Sequence, residues 1–281
     1  FARVKFYRMT GLQTLADLVY TKGVLSQDGF TAVSDCFLHF AQNNGKQQLE
    51  EVLDVALGAM ITISNSFPDN NEAQINLSKA CECASQYEAT KRAIVRCGGV
   101  QRLSILLAES PLLDCVISSA RALHHLFTFP EVRGFAAKQD SILQNILSYL
   151  GNNVPSLQDS LLSMLNALLE MQATHANFIQ SGGFASFGSL LQSPYASVQL
   201  NTLKCMQTFA QNTADFDLFA DYCVQLGLVK TVFGLTSSGD EQIQLCSIFL
   251  LQKWTGSTMA FNVLLEMDLE ARLVELESDR K

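Results

Sequence analysis

Residues 173–212 read ATHANFIQSGGFASFGSLLQSPYASVQLNTLKCMQTFAQN, and they contain the clearest copy of a repeated pattern. Its central part, FIQSGGFASFGSLL at 178–191, aligns without gaps with IVRCGGVQRLSILL at 94–107, and a weaker copy, CVQLGLVKTVFGL, follows at 223–235. The two strong copies are 84 residues apart, which is twice 42. A period near 40 residues is typical of helical repeats that stack side by side and share a continuous core.

A second pattern repeats with the same period. It consists of four apolar or small residues at i, i+3, i+4 and i+7, the spacing that forms one stripe on an α-helix. These core quartets are Val33, Cys36, Phe37 and Phe40; Leu77, Ala80, Cys81 and Ala84; Ser119, Ala122, Leu123 and Leu126; Leu161, Met164, Leu165 and Leu168; Thr202, Cys205, Met206 and Phe209; and Ser247, Leu250, Leu251 and Trp254. Their first residues are 44, 42, 42, 41 and 45 residues apart, so the sequence contains six frames of one helical repeat.

The repeats account for the chain as a single domain, residues 1–281. We place the repeats at about 11–53, 54–97, 98–138, 139–181, 182–226 and 227–268, and we interpret 269–281 as a cap or the start of a further repeat. The composition, with 48% hydrophobic residues and only five prolines, supplies enough apolar surface for a shared core. Turns such as Ser110-Pro111 predict the order short helix, middle helix, turn and long third helix within a repeat.

Residues 173–212 resemble an armadillo repeat. The resemblance lies in a helix that ends in Ile179, the pair Gly182-Gly183, an apolar helix that ends in Leu190-Leu191, and a long helix that carries the quartet Thr202 to Phe209. It covers nearly the whole chain and is strongest over 77–235. It implies an all-α fold, a right-handed α-solenoid of about six armadillo-like (ARM/HEAT) repeats, and the glycine pairs favour armadillo over the related HEAT architecture.

The resemblance implies a binding function without naming the partner, because armadillo proteins take part in nuclear import, cell adhesion, ciliary assembly and chaperone work. Members that bind nuclear-import signals carry Trp and Asn on the concave face, two and six residues after the start of each quartet. The corresponding residues here are Asp35, His39, Lys79, Cys83, Arg121, His125, Ser163, Ala167, Lys204, Thr208, Phe249 and Lys253. Neither Trp nor Asn is among them, so we do not expect recognition of a basic import signal.

Cations occupy this predicted concave groove, although the chain as a whole has a net charge of −8. The candidate partner-binding residues are Lys79, Arg121, His125, Lys204 and Lys253. Among these groove positions only Asp35 opposes them, which favours an acidic or phosphorylated partner segment. We do not expect nucleic acid, because the sequence has no basic run and its overall negative charge would repel phosphate. Arg121 is the strongest candidate, because a guanidinium can hold a carboxylate or phosphate by two hydrogen bonds. The alternative is that these are ordinary solvated side chains on long helices.

An insertion offers a second candidate surface. The connection from Phe209 to Gly227 is four residues longer than its counterparts, and it contains DFDLFADY at 215–222. Insertions in repeat proteins often lie on a binding face. The candidate secondary partner patch is Phe216, Phe219 and Tyr222. The alternative is that these aromatic residues pack into the core as an extra helical turn.

We find no catalytic, cofactor or metal motif in the sequence. The four histidines lack the spacing of metal ligands, and neither GxGxxG nor Gly-x-Ser-x-Gly is present. Three of the eight cysteines, Cys36, Cys81 and Cys205, lie in core quartets, which predicts buried free thiols and a reducing, cytoplasmic location. The longest apolar run, 161–169, is about half the length of a membrane-spanning helix, so we expect no transmembrane segment.

These patterns predict a non-enzymatic scaffold or adaptor that binds a segment of a partner protein along the groove. Two alternatives stay open. The chain could be a regulatory, autoinhibitory armadillo region of a larger multidomain enzyme, or it could be a chaperone cofactor that grips a folded lobe. A kinase, nucleosidase or ligase signature beyond Phe1 or Lys281 would favour the regulatory role.

Overall fold

The structure is a computed structural model that describes residues 2–21, 25–44 and 50–267. All regular secondary structure of these residues is helical, which confirms the predicted all-α fold. The helices are α1 (Ala2–Tyr20), α2 (Gln27–Asn44), α3 (Glu50–Ser66), α4 (Asn71–Ala84), α5 (Glu88–Arg96), α6 (Gly99–Glu109), α7 (Leu113–Leu126), α8 (Pro130–Ala136), α9 (Asp140–Leu150), α10 (Pro155–Leu169), α11 (His175–Gln180), α12 (Gly183–Leu191), α13 (Ala196–Asn212), α14 (Phe216–Gln225), α15 (Leu228–Leu235), α16 (Glu241–Trp254) and α17 (Thr258–Glu266), with a 3-10 helix at Gln172–Thr174. The predicted cap or further repeat at 269–281 lies outside the described residues.

From Glu88 onwards, the helices follow the predicted order of a short first helix, a second helix and a long third helix. The triplets are α5 to α7, α8 to α10, α11 to α13 and α14 to α16. α17 begins 42 residues after α14, at the position where the first helix of a further triplet would start. Before Glu88 the order differs, because α1 with α2 and α3 with α4 form pairs of long helices. The sequence of α3 contains no glycine pair that could divide it into two helices.

Glycine junctions separate the first and second helices in three of the four triplets. Gly98, Gly182 and Gly227 have φ values of 79°, 72° and 70°, in the left-handed region that ends a helix and that side chains disfavour. In the pair Gly182-Gly183 the second glycine has a different role, because a Cβ on Gly183 would overlap the ring of Phe178. One glycine therefore ends the helix, and its neighbour lets the two helices approach closely.

The chain divides into two compact units, Phe1–Phe135 and Ala136–Lys281. In the first unit, the last helices of the two pairs and of the triplet are α2, α4 and α7, and we call all of them third helices. Neighbouring third helices pack directly on each other. Their quartets form the core, where Phe37, Leu77 and Leu123 are at most 1% exposed. Burying such side chains supplies the main favourable term in folding.

Cys36 departs from this pattern, and its place in the repeat explains why. Its counterpart Cys205 donates its S–H to the carbonyl oxygen of Leu162 on the preceding third helix, at 3.2 Å. This quartet position therefore faces the preceding third helix. No third helix precedes α2 in the described part of the chain, so Cys36 is exposed. The prediction that Cys36 is buried was wrong.

In the second unit the third helices are α10, α13 and α16. The quartets of all three are buried, and Leu165 on α10 is 0% exposed. Aromatic rings with neighbouring centroids 4.9 to 6.2 Å apart form a cluster in this core. Its members are Phe178, Phe184, Phe187, Phe209, Phe219 and Trp254. They come from first, second and third helices, so the cluster links the three helix positions of the repeat.

Candidate partner-binding surface

The third helices carry polar residues that join one repeat to the next. We call the surface formed by α2, α4 and α7 the third-helix surface of the first unit. The surface formed by α10, α13 and α16 is the third-helix surface of the second unit. Hydrogen bonds between neighbouring third helices connect residues 38 to 43 positions apart in the sequence. This separation is the period of the sequence repeat, so the register of the quartets is confirmed.

Arg121 on the first unit's surface already has an acidic partner. Its guanidinium donates to the Glu82 carboxylate at 3.0 Å, with Arg121 on α7 and Glu82 on α4. The Arg121 side chain is 41% exposed and the Glu82 side chain 20% exposed, so the pair is open to solvent. Asp35 is still the one acid among the twelve groove positions, but Glu82, which lies next to the groove position Cys83, also opposes a cation. The Arg121 charge is therefore partly neutralised.

His125 lies one helical turn beyond Arg121 and is half-buried. Its Nδ1 and the Ser85 hydroxyl are 2.9 Å apart in a hydrogen bond. Burial and the nearby Lys91 ammonium lower the pKa of His125 below its ordinary value, against the opposing effect of Glu82. His125 is therefore neutral at pH 7, and it is a poorer anion binder than a protonated imidazole would be.

Asp35 also has a hydrogen-bond partner on a neighbouring third helix. Asn76 on α4 donates to the Asp35 carboxylate at 2.6 Å and to the Ser34 hydroxyl at 2.9 Å, both on α2. Lys79, also on α4, is partly exposed and forms no ion pair with any described residue. Among the residues that the structure describes, the first unit's surface is thus a mixed polar network in which Lys79 forms no ion pair.

The second unit's surface carries two exposed lysines on neighbouring third helices, Lys204 on α13 and Lys253 on α16. Within the described ranges, neither lysine forms an ion pair. The Lys253 ammonium lies 5.6 Å from the centroid of the Phe249 ring, within the range of a cation–π contact. These two predicted residues are the most available cations of the candidate set.

A shallow polar recess of about 220 Å³ opens between α10 and α13. It is lined by Leu162, Ser163, Asn166, Asn201 and Lys204. Thr208 donates to Asn166 Oδ1 at 2.7 Å, and Asn201 donates to Asp159 Oδ1 at 3.0 Å. Amide, hydroxyl and ammonium groups therefore converge at one point of the surface.

Asn166 and Asn201 were missed by the sequence analysis. They lie five residues after the start of one quartet and one residue before the start of the next, not at the positions taken from the family pattern. A signal was present, since Asn166 and Thr208 are 42 residues apart, as are Asp159 and Asn201. Polar residues separated by one period are candidates for contact between repeats.

The predicted aromatic patch in the insertion is largely core. Phe219 is 0% exposed, with its ring centroid 5.4 Å from those of Phe184 and Phe209. Phe216 and Tyr222 are half-buried, and the Tyr222 ring stacks on Phe184 at 5.8 Å. The extra residues extend the first helix of this repeat, as α14. Phe219 cannot reach a partner, so the prediction of an exposed patch that includes it was wrong.

The described residues offer binding groups and little reactive chemistry. No group of three or more His, Cys, Asp or Glu side chains in them could hold a metal ion. All eight cysteines are free thiols. Burial raises the pKa of Cys81 to about 12, so this thiol is protonated at neutral pH and unreactive.

No single helix among the described residues has the length and apolar character needed to cross a membrane. One pair, Phe216–Gln225 with Leu228–Leu235, reaches that length and composition only when joined, and the two helices are bent by 86°. The first of them includes the buried Phe219, which belongs to the aromatic cluster.

Neither a protein-family model nor a curated protein matches the chain. Several solved structures do. A crystal structure of an engineered protein is 18% identical, with a TM-score of 0.68, and covers 86% of this chain and 96% of that one. A designed armadillo repeat protein in complex with the peptide (KR)4 is 12% identical, with a TM-score of 0.68, and covers 86% and 98%. Computationally designed armadillo repeat proteins for modular peptide recognition are 13% identical, with a TM-score of 0.70, and cover 86% and 99%.

These identities are low, so the likeness concerns the fold and not the ligand. It agrees with the stacked third helices, the glycine junctions and the hydrogen bonds spaced by one repeat. This chain has an armadillo-like repeat fold.

Proposed function

We propose that this protein is a non-enzymatic scaffold that holds an extended, acidic or phosphorylated segment of a partner protein along a third-helix surface. The observation that carries the proposal is the pair Lys204 and Lys253, exposed on neighbouring third helices and without an ion pair to any described acid. The chain has a net charge of −8, so these cations differ in sign from the molecule as a whole. Such a local potential attracts an acidic segment and repels a basic one.

An extended segment suits these surfaces better than a compact ligand does. Polar groups recur once per repeat on neighbouring third helices, and repeat surfaces bind extended chains by contacts spread over several repeats. The recess of about 220 Å³ is smaller than the 300 to 1,000 Å³ typical of small-molecule sites. It has the size to take one side chain of a longer ligand.

The structural neighbours support a peptide as the ligand and do not fix its charge. The designed armadillo repeat protein named above was solved with the basic peptide (KR)4. This chain has lysines at three of the twelve groove positions, Lys79, Lys204 and Lys253, and neither Trp nor Asn at any of them. We therefore infer that its ligand has the opposite charge.

Arg121 contributes less to this function than the sequence indicates, because the ion pair with Glu82 already neutralises part of its charge. Each exposed lysine contact is individually modest, about 0.2 to 1 kcal/mol, so useful affinity requires several contacts together. Binding should therefore depend on the number of lysines engaged and weaken as salt screens them.

Fluorescence anisotropy with a short labelled peptide of alternating Glu and Ser tests the proposal, with the matching Gln and Ser peptide as the neutral probe. We expect the Glu peptide to bind more tightly, with an affinity that falls as the NaCl concentration rises. Lys204→Glu combined with Lys253→Glu should weaken binding more than either change alone. Lys230→Glu, at an exposed position of the second helix α15, makes the same change in charge and should have little effect. Equal binding of the two peptides, or equal loss with Lys230→Glu, would overturn the proposal.

A further inference from the structure

The recess between α10 and α13 presents a defined set of donors and acceptors. Thr208 donates to Asn166 Oδ1, so the amide is oriented with its two N–H groups left for a ligand. Asn201 donates to the Asp159 carboxylate, so its own oxygen is left as an acceptor. Ser163 donates its hydroxyl to the Asp159 carbonyl oxygen at 2.8 Å and can still accept.

Lys204 adds the only formal charge among the five residues that line the recess. Its ammonium supplies up to three donors and is exposed on the rim. The lining therefore combines two donor side chains, Asn166 and Lys204, with two acceptors, Asn201 and Ser163. A ligand group that fits must accept at one side and donate at the other.

We propose that this recess binds one Asp or Glu side chain of the partner segment together with a neighbouring main-chain N–H of that segment. The inference rests on the proposed function and names the chemistry that this surface recognises. The ligand carboxylate accepts from the Lys204 ammonium and the Asn166 amide. The main-chain N–H donates to Asn201 Oδ1, which would otherwise be desolvated without a partner.

The same groups select against a phosphorylated side chain. A phosphate monoester carries a charge of about −1.5 to −2 at pH 7 and has three strong acceptor oxygens, whereas Asn201 and Ser163 in the lining present acceptors to it. Asp159 is a neighbour of the recess, because its carboxylate oxygens accept from the lining residue Asn201 and, at 2.9 Å, from Ser197. Its charge repels a dianion more strongly than a monoanion. We therefore expect this lining to favour a carboxylate over a phosphate.

Three labelled peptides test this selectivity, in which Ser alternates with Glu, with Gln or with phosphoserine. We expect the Glu peptide to bind most tightly, and the phosphoserine peptide to bind more weakly than the Glu peptide despite its higher charge. A phosphoserine peptide that binds more tightly than the Glu peptide would overturn the inference and leave the proposed function in place.

Asn166→Asp tests the recess itself. The new carboxylate can still accept from Thr208, but the amide N–H groups that would donate to the ligand are replaced by a negatively charged oxygen. We expect the affinity for the Glu peptide to fall about tenfold, since like charges are brought together. Asn153→Asp is the matched control, with the same change in charge at an exposed position before α10, and it should have little effect. Lys204→Met should lower the affinity for the Glu peptide by up to about fivefold.

The two proposals fail in different ways. If wild-type protein binds the Glu peptide in a salt-dependent manner but Asn166→Asp and Lys204→Met do not weaken it, the recess inference is wrong and the scaffold proposal stands. If the wild-type protein does not distinguish the Glu and Gln peptides, both proposals are wrong. Melting curves of each variant show whether a loss reflects unfolding, and Lys204→Met keeps the test decisive because Lys204 is exposed.

Discussion

Arg121 on α7 donates to the Glu82 carboxylate on α4 at 3.0 Å, and the two residues are 39 positions apart in the sequence. The contact links two successive repeats and neutralises part of the cation that the sequence singles out as the best anion binder. Lys204 and Lys253, which form no ion pair within the described ranges, take over that role. The charge available to a partner is thus set by contacts between repeats as well as by the residues of one helix.

Glu82→Gln should release the Arg121 guanidinium for a ligand. We expect the first unit's third-helix surface to bind the Glu peptide up to about fivefold more tightly in this variant, the range measured for exposed charge pairs. Anisotropy titrations at constant salt measure the change. Glu131→Gln, at an exposed position of α8, alters the net charge equally and is the control. The same gain in both variants would mean that only the overall charge matters.

Acid should destabilise the first unit partly through His125. Burial and Lys91 lower its pKa, so the folded state binds a proton less readily than the unfolded state does. In the unfolded chain the pKa of His125 is about 6.5, and its contribution to stability is fully present above that pH. This contribution is lost as the pH falls below about 6.5, and the loss is complete once the pH is below the pKa of the folded state. Urea unfolding between about pH 7 and pH 5 should show a steeper fall in stability for wild type than for His125→Gln. Equal slopes would contradict this, and His39→Gln at an exposed site is the control.

Leu165→Ala should remove buried surface from the middle of the second unit and leave a cavity. Leu165 is 0% exposed on α10, so we expect a loss of about 2 to 5 kcal/mol in the free energy of unfolding. Leu265→Ala is the matched control, because that side chain is 51% exposed, and it should change stability by less than about 0.5 kcal/mol. Urea titration distinguishes the two. A loss in Leu165→Ala no larger than in the control would show that the quartet is not core.

The two glycines of a junction should respond differently to alanine. Gly182→Ala places a side chain at φ 72°, which costs about 1 to 2 kcal/mol. Gly183→Ala should cost more in a melting experiment, because the ring of Phe178 must move to admit the Cβ. Gly239→Ala is the control, since a Cβ there meets nothing within 4 Å. Equal melting temperatures for the Gly183 variant and the control would disprove the close approach.

The core could be predicted from the sequence because periodicity depends on local helix geometry. Leu165 and Phe209 lie in quartets at helical spacing, and both are buried. Cys36 has the same spacing and is exposed, because the burial of its position depends on a preceding third helix. Periodicity identifies the face of a helix, but the neighbours of that face belong to the tertiary structure.

The candidate site was less predictable for the same reason. Lys204 and Lys253 are exposed as expected, whereas Glu82 and Asn166 matter through contacts with the next repeat and have no local signature. Phe219 was a candidate for an exposed patch but is buried. An aromatic residue in an insertion is apolar enough for either core or surface, so its type alone does not predict which one it occupies. Comparing polar residues one period apart would have found Asn166 from the sequence.

Carbodiimide cross-linking of the acetylated Glu peptide, followed by mass spectrometry of the linked lysines, tests the scaffold proposal most directly. The reagent activates ligand carboxylates, and a lysine ε-amino group in contact with one attacks it in its neutral form, so that an amide bond forms and the reagent leaves as a urea. We expect links at Lys204 and Lys253 that disappear at high salt, and few links at the exposed Lys230 on α15. Links at Lys230 as frequent as those at Lys204, or an absence of links at Lys204, would contradict binding along the third-helix surface.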